Sequence, residues 1–136
     1  KCTLMSLHQL DFPENTFDTV LMLGQNLGLG NMAVMRSYLS KIYDITTDDG
    51  IIIGEARDPS YTTDPEHLAY YERNRGLGLP IGLIKIRIGF RGKVGEWFDL
   101  FLMDQELLEE IVAPTGWKVS NNYYSEQGMY ITILTK

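Results

Sequence analysis

Cysteine is almost missing from this chain. Cys2 is the single one in 136 residues, so no internal disulfide can form. With only His8 and His67 beside it, there are too few soft ligands for a zinc cluster, and no metal is expected. A chain so poor in cysteine suits a reducing cytoplasm, which is the expected compartment. Positive charge is also scarce: 12 Lys and Arg stand against 18 Asp and Glu, a net charge of -6. That balance argues against a broad basic face for nucleic acid or for an acidic membrane. Arg87, Arg91 and Lys93 do lie close together, but they read as the solvated face of a hairpin. No apolar run approaches the roughly 20 residues that span a bilayer, and no signal-peptide pattern is visible. Neither an internal repeat nor a low-complexity stretch divides the chain, so residues 1–136 are expected to form a single unit.

What remains is an ordinary globular composition, 44% hydrophobic and 22% charged, rich enough to fill one core. Thr3 to Leu7 reads as a short strand, and Asp11-Phe12-Pro13-Glu14-Asn15 as a turn. Thr19 to Leu23 is a continuous apolar run, the pattern of a parallel strand buried on both faces. A glycine-bearing loop, Gly24 to Gly30, follows it. Asn31 can cap a helix in which Met32, Met35, Leu39 and Ile42 recur at spacings of three and four. The helix should stop near Thr46, before a turn at Asp48-Asp49-Gly50, and Ile51-Ile52-Ile53 is a second buried strand. Strand, helix and strand make a βαβ unit and hence a parallel sheet.

The second half changes character. Asp64-Pro65 starts a helix that runs to about Arg75. Leu83 to Phe90 and Val94 to Leu102 read as a hairpin around Arg91-Gly92. Asp104 caps a helix with Leu107, Leu108, Ile111 and Val112 on its buried side. Pro114 and Gly116 end it. Trp117 to Tyr124 and Met129 to Leu134 are the last strands, joined near Gly128. The fold class is therefore α/β: a parallel βαβ unit followed by antiparallel strands.

The glycine loop admits two readings. Glycines between a strand and a helix let a phosphate approach the helix N-terminus, and Glu55, after the next strand, stands where an acid would hold a ribose. A nicotinamide-dinucleotide module is one alternative on this ground. Against it, no Tyr has a Lys four residues on, and no further βα repeats follow Glu55.

The other reading begins at Leu10-Asp11-Phe12-Pro13-Glu14-Asn15-Thr16-Phe17-Asp18-Thr19-Val20. This resembles the segment that leads into the fourth strand of class I S-adenosylmethionine-dependent methyltransferases. Thr47-Asp48-Asp49-Gly50-Ile51-Ile52-Ile53-Gly54-Glu55 is similar to that family's turn and fifth strand. Gly116-Trp117-Lys118-Val119 resembles the opening of its sixth. The resemblance implies a partial Rossmann-like sheet, the family order 3-2-1-4-5-7-6 from the third strand onward. The N-terminal cofactor-binding strands are not part of it. It implies S-adenosylmethionine as the cofactor of the complete domain and a small-molecule methyl acceptor. Ser6 and Leu7 would then flank the adenine, although the family carries an Asp where Ser6 stands. Gly24, Gln25 and Asn26 would lie near the methionine part. Tyr61, His67, Tyr70, Tyr71 and Arg73 fall in the segment that covers the acceptor, with Tyr70 and Arg73 taken as contacts. Read from the residues alone, Tyr70 and Tyr71 suit packing better than contact with the acceptor, and Trp97, Phe98 and Trp117 suit the core. No residue is singled out as catalytic.

With the first strand missing, the fourth becomes an apolar open edge, which invites pairing with another chain. A homodimer or a strand-swapped assembly is the expectation, and a non-catalytic association domain is the third functional alternative.

Overall fold

The computed structural model describes residues 2–136. β1 (Phe17–Met22) is followed by α1 (Met32–Ile45) and β2 (Thr46–Arg57), and the two strands pair in parallel. α2 (Pro65–Gly76) comes next, then β3 (Leu83–Ile86), β4 (Gly89–Phe90), β5 (Lys93–Val94) and β6 (Phe98–Phe101). α3 (Gln105–Val112), β7 (Lys118–Tyr124) and β8 (Met129–Thr135) close the chain. The main sheet has the order β1-β2-β8-β7, with β8 antiparallel to both of its neighbours.

Local chemistry sets the helix starts. Asn31 accepts the Val34 N–H at 3.2 Å, Asp64 the Glu66 N–H at 2.8 Å, and Asp104 the Leu107 N–H at 2.8 Å. Each satisfies a donor that the first helical turn leaves free. α3 runs into a 3-10 turn that ends at Gly116, whose φ of 91° is the left-handed conformation that favours glycine there.

Side chains alternate across the sheet, so its two faces can be read from the register. On one face Met22, Ile52, Ala56, Tyr130 and Leu134 form one buried cluster with Met35, Leu39 and Ile42 of α1 and Leu108 and Ile111 of α3. Trp117 is sealed into the same core, with its indole N–H donating to the Leu39 carbonyl at 3.0 Å and its ring edge-on to Tyr43. On the other face Leu21, Ile53 and Ile133 stand side by side, flanked by Ile51 and Ile131. Leu21 is 63% exposed, and the four isoleucines are only half-buried. Among the described residues β1 pairs with β2 alone, and its outer edge carries no strand.

Three expectations are corrected. Thr3 to Leu7 is not a strand: the chain there has no regular structure until Ser6 caps a short 3-10 turn at Leu7–Gln9. A strand needs a ladder neighbour, and among the described residues none pairs with this stretch. Asp48-Asp49-Gly50 is not a turn between elements. It lies inside β2, as a bulge where the ladder jumps from Phe17↔Thr46 to Thr19↔Ile51. Trp97 is not core. It is 56% exposed, with the Arg87 guanidinium 4.7 Å from its ring centroid. The hairpin itself is present but interrupted: β3 pairs with β6, and β4 with β5 around Arg91 and Gly92, both at positive φ.

Candidate functional site

In an open parallel sheet the crevice beyond the carboxyl ends of the strands is the natural place for a ligand. Here β1 ends into the Gly24–Gly30 loop and β2 into Asp58, and the two ends are neighbours through Met22↔Gly54. Gly24 and Gln25 both take left-handed backbone angles, φ 66° and 67°, which turn the chain sharply off the strand. For Gln25, an L residue, that conformation costs about 1–2 kcal/mol. The rest of the loop holds it. The Gly24 N–H donates to the Glu55 carboxylate at 3.1 Å, and the Gln25 amide to the Met129 sulfur at 3.1 Å. Leu27 is fully buried, and the Tyr38 hydroxyl donates to its carbonyl. Burial pushes the Tyr38 phenol well above its ordinary range. Gly54 makes room for Leu27, since a Cβ there would sit 2.7 Å from the Leu27 Cδ2.

A cavity of about 480 Å³ opens beside this loop, lined by Gln25, Arg57 and Asp58 at the strand ends, by Tyr70 and Tyr71 of α2, and by Leu100 of β6. That size suits a small organic molecule. Asp58 is buried and accepts the Ser60 N–H at 2.8 Å. The His67 Nδ1 lies 3.0 Å from the Thr62 hydroxyl, which fixes the ring at the rim. Tyr71 is buried, and desolvation raises its pKa, with the Arg57 guanidinium opposing that rise. Asn74, also buried, donates to the Ile81 and Leu83 carbonyls at 3.1 and 2.7 Å, and so pins α2 to β3 as one wall of the cavity.

The residues singled out from the sequence are divided among several hollows. Gln25 and Tyr70 come together in the cavity just described. Asn26 and Leu7 meet in an apolar hollow of about 530 Å³ beside the open edge of β1. Ser6 and Leu7 line a third, of about 430 Å³, with Asn31 and Asp99. The Ser6 hydroxyl is already used as a cap for the His8 N–H at 3.3 Å. Arg73 lies outside the main cavity, with Lys85 and Trp97, its guanidinium 6.0 Å from the Tyr70 ring centroid. Glu55, which a dinucleotide site would turn toward a ribose, holds the Gly24 N–H instead. Arg57 and Asn74 escaped the sequence reading. One sits at a strand end and the other at a helix end, and neither breaks an apolar pattern.

No protein-family model matches the sequence, and no curated protein does. Solved structures match it well. A SAM-dependent methyltransferase from Bacteroides fragilis, in complex with S-adenosyl-L-homocysteine, superposes with a TM-score of 0.72 at 25% identity, over 95% of this chain and 51% of its own. The chain has the fold of a class I methyltransferase's C-terminal half. Its strands β1, β2, β8 and β7 stand in the order of that fold's fourth, fifth, seventh and sixth. A SAM-dependent methyltransferase from Methanosarcina mazei also gives 0.72, at 10% identity over 98% of this chain and 66% of its own. The Burkholderia thailandensis 1,6-didemethyltoxoflavin-N1-methyltransferase, with bound 1,6-didemethyltoxoflavin and S-adenosylhomocysteine, gives 0.57 at 14% identity, over 97% and 48%. The chain thus spans about half the length of the Bacteroides and Burkholderia methyltransferases.

The fit of such a cofactor to the residues present is partial. Nothing lies within 4 Å of the place a Gly24 Cβ would take, so the backbone there is open to a ligand. The nearest acid, Glu55, is engaged by the loop and does not supply a ribose contact.

Proposed function

We propose that this chain serves S-adenosylmethionine-dependent methyl transfer to a small-molecule acceptor, as the acceptor half of a complete domain. The supporting observation is the cavity at the ends of β1 and β2. It takes in Gln25 of the loop after β1, in a fold shared with a methyltransferase solved in complex with S-adenosyl-L-homocysteine. The cofactor, once bound, supplies an electrophilic methyl on a sulfonium. The chain's part is position, because transfer needs the nucleophile, the methyl and the sulfur in line. Gly24, Gln25 and Asn26 flank the methionine part, Ser6 and Leu7 the adenine, and Tyr70 and Arg73 the acceptor side.

The other half of the domain would add a strand to the open edge of β1 and cover the bare face. It comes from a further stretch of polypeptide or from a second copy in a dimeric or strand-swapped assembly. Among the described residues no helix is long and apolar enough to cross a membrane. On this reading the complete enzyme works in the cytoplasm on a dissolved small molecule, in keeping with the near absence of cysteine.

The test joins the first half of the Bacteroides fragilis methyltransferase to this chain and titrates the folded chimera with S-adenosylhomocysteine, with NAD as control. Binding of the homocysteine product is expected, weakened about tenfold by Asn26→Ala through loss of a polar contact. A folded chimera that takes NAD, or that binds the product unaffected by changes at Gly24 to Asn26, contradicts the reading.

A further inference from the structure

Arg57 is the unused group of the cavity. It is half-buried, and among the described residues its side chain makes no hydrogen bond and has no carboxylate within 4.0 Å. A guanidinium carries five donors in a fixed plane, matched to the two oxygens of a carboxylate. The two cations nearest in role are occupied. Lys85 faces Asp99 at 3.8 Å, and Arg73 lies over Tyr70. Of the acids in the lining, Asp58 is held by the Ser60 N–H, and Glu66 sits exposed on the first turn of α2.

The surroundings of Arg57 are not those of a solvated surface arginine. Apolar and aromatic side chains, Tyr71, Ile84 and Leu100 among them, make up much of the lining beside it, and Asp58, Glu66 and Lys85 share it. The guanidinium is near enough to Tyr71 to pull back part of the rise that burial gives its phenol. An unpaired cation in an apolar, partly closed site binds an anion more strongly than it would in water, because solvent screens it less.

From this we infer that the cavity takes an anionic acceptor, a carboxylate on a flat apolar body, with the carboxylate paired to Arg57 and the body against Tyr70 and Tyr71. The inference rests on the reading of the cavity as the methyl-acceptor site, but its test does not need the cofactor.

The experiment is an NMR titration of the isotopically labelled chain with benzoate and, in parallel, with benzamide, which has the same shape and no charge. Benzoate should shift the Arg57 side-chain N–H and the amides of Gln25 and Tyr71, and benzamide should bind about tenfold more weakly, the effect of one charge-assisted pair. Arg57→Met should erase the difference between the two probes, and Arg57→Lys, which keeps the charge and the fold, should retain part of it. Equal binding of both probes overturns the inference. So does benzoate acting at Arg87 and Arg91 instead, or no shift with either probe. Because S-adenosylhomocysteine is titrated separately, a cofactor that binds while benzoate stays silent sinks this inference and leaves the methyltransferase reading standing.

Discussion

Ile52 and Ile53 are adjacent in β2 and chemically identical, yet they belong to opposite faces of the sheet. Ile52 is completely buried between α1, α3 and its strand neighbours. Ile53 stands between Leu21 and Ile133 and is only half-buried. Parallel strands are ordinarily covered on both faces, and continuous apolar runs are how their sequences record it. Ile51-Ile52-Ile53 is such a run, and so is Thr19 to Leu23. The sequence is written for two covering layers, and the described residues supply one.

The sharpest way to break the comparison is to truncate both isoleucines in turn. Ile52→Ala should cost about 2–5 kcal/mol in denaturant unfolding, the range for emptying a packed core site. Ile53→Ala in the chain by itself should cost well under half of that, since less apolar area leaves the interior. If the losses are equal, the two faces are equally packed and the asymmetry is wrong. Next in size is Tyr38→Phe. It strands the buried Leu27 carbonyl and should cost about 1–3 kcal/mol, while loosening the Gly24–Gly30 loop that the covered face supports. Hydrogen exchange of the Gly28 amide would report that loosening.

A smaller effect is expected at high pH. Burial raises the pKa of Tyr38 and Tyr130 above their ordinary value of 10.0. Above that pH the unfolded chain gives up phenol protons that the folded chain keeps. Stability must therefore fall as pH rises, whereas below it neither state has lost them and the contribution is flat. The alkaline loss belongs to the covered side, so Tyr38→Phe should make the fall shallower. Unfolding melts from neutral pH to pH 11, run on the parent chain and on Tyr38→Phe, would show the difference.

Much of this architecture could be read from residue order. Asn31, Asp64 and Asp104 cap the helices they announce, and Met35, Leu39 and Ile42 fall on the buried stripe of α1. These are local signals, settled within a turn or two of chain. The misreadings are those where a distant neighbour decides. Thr3 to Leu7 has strand-forming residues but no strand to pair with, and Trp97 is large and apolar yet has no layer to enter. The bulge at Asp48 to Gly50 looks like a turn because its residues are turn formers, and only the ladder with β1 shows that the strand continues through it. Of the residues that line the cavity, Gln25 and Tyr70 were legible in the sequence, one in a loop and one in a helix. Arg57 was not, because an arginine at a strand end gains meaning only when the walls around it are seen.

The most direct test of the missing layer is sedimentation velocity of this chain over a rising concentration series, with Leu21→Lys and Glu109→Lys run beside it. Association that Leu21→Lys on the bare face abolishes, and that Glu109→Lys on the outer side of α3 leaves intact, is the predicted result. A chain that stays monomeric at high concentration with Leu21 and the β1 edge uncovered would contradict it.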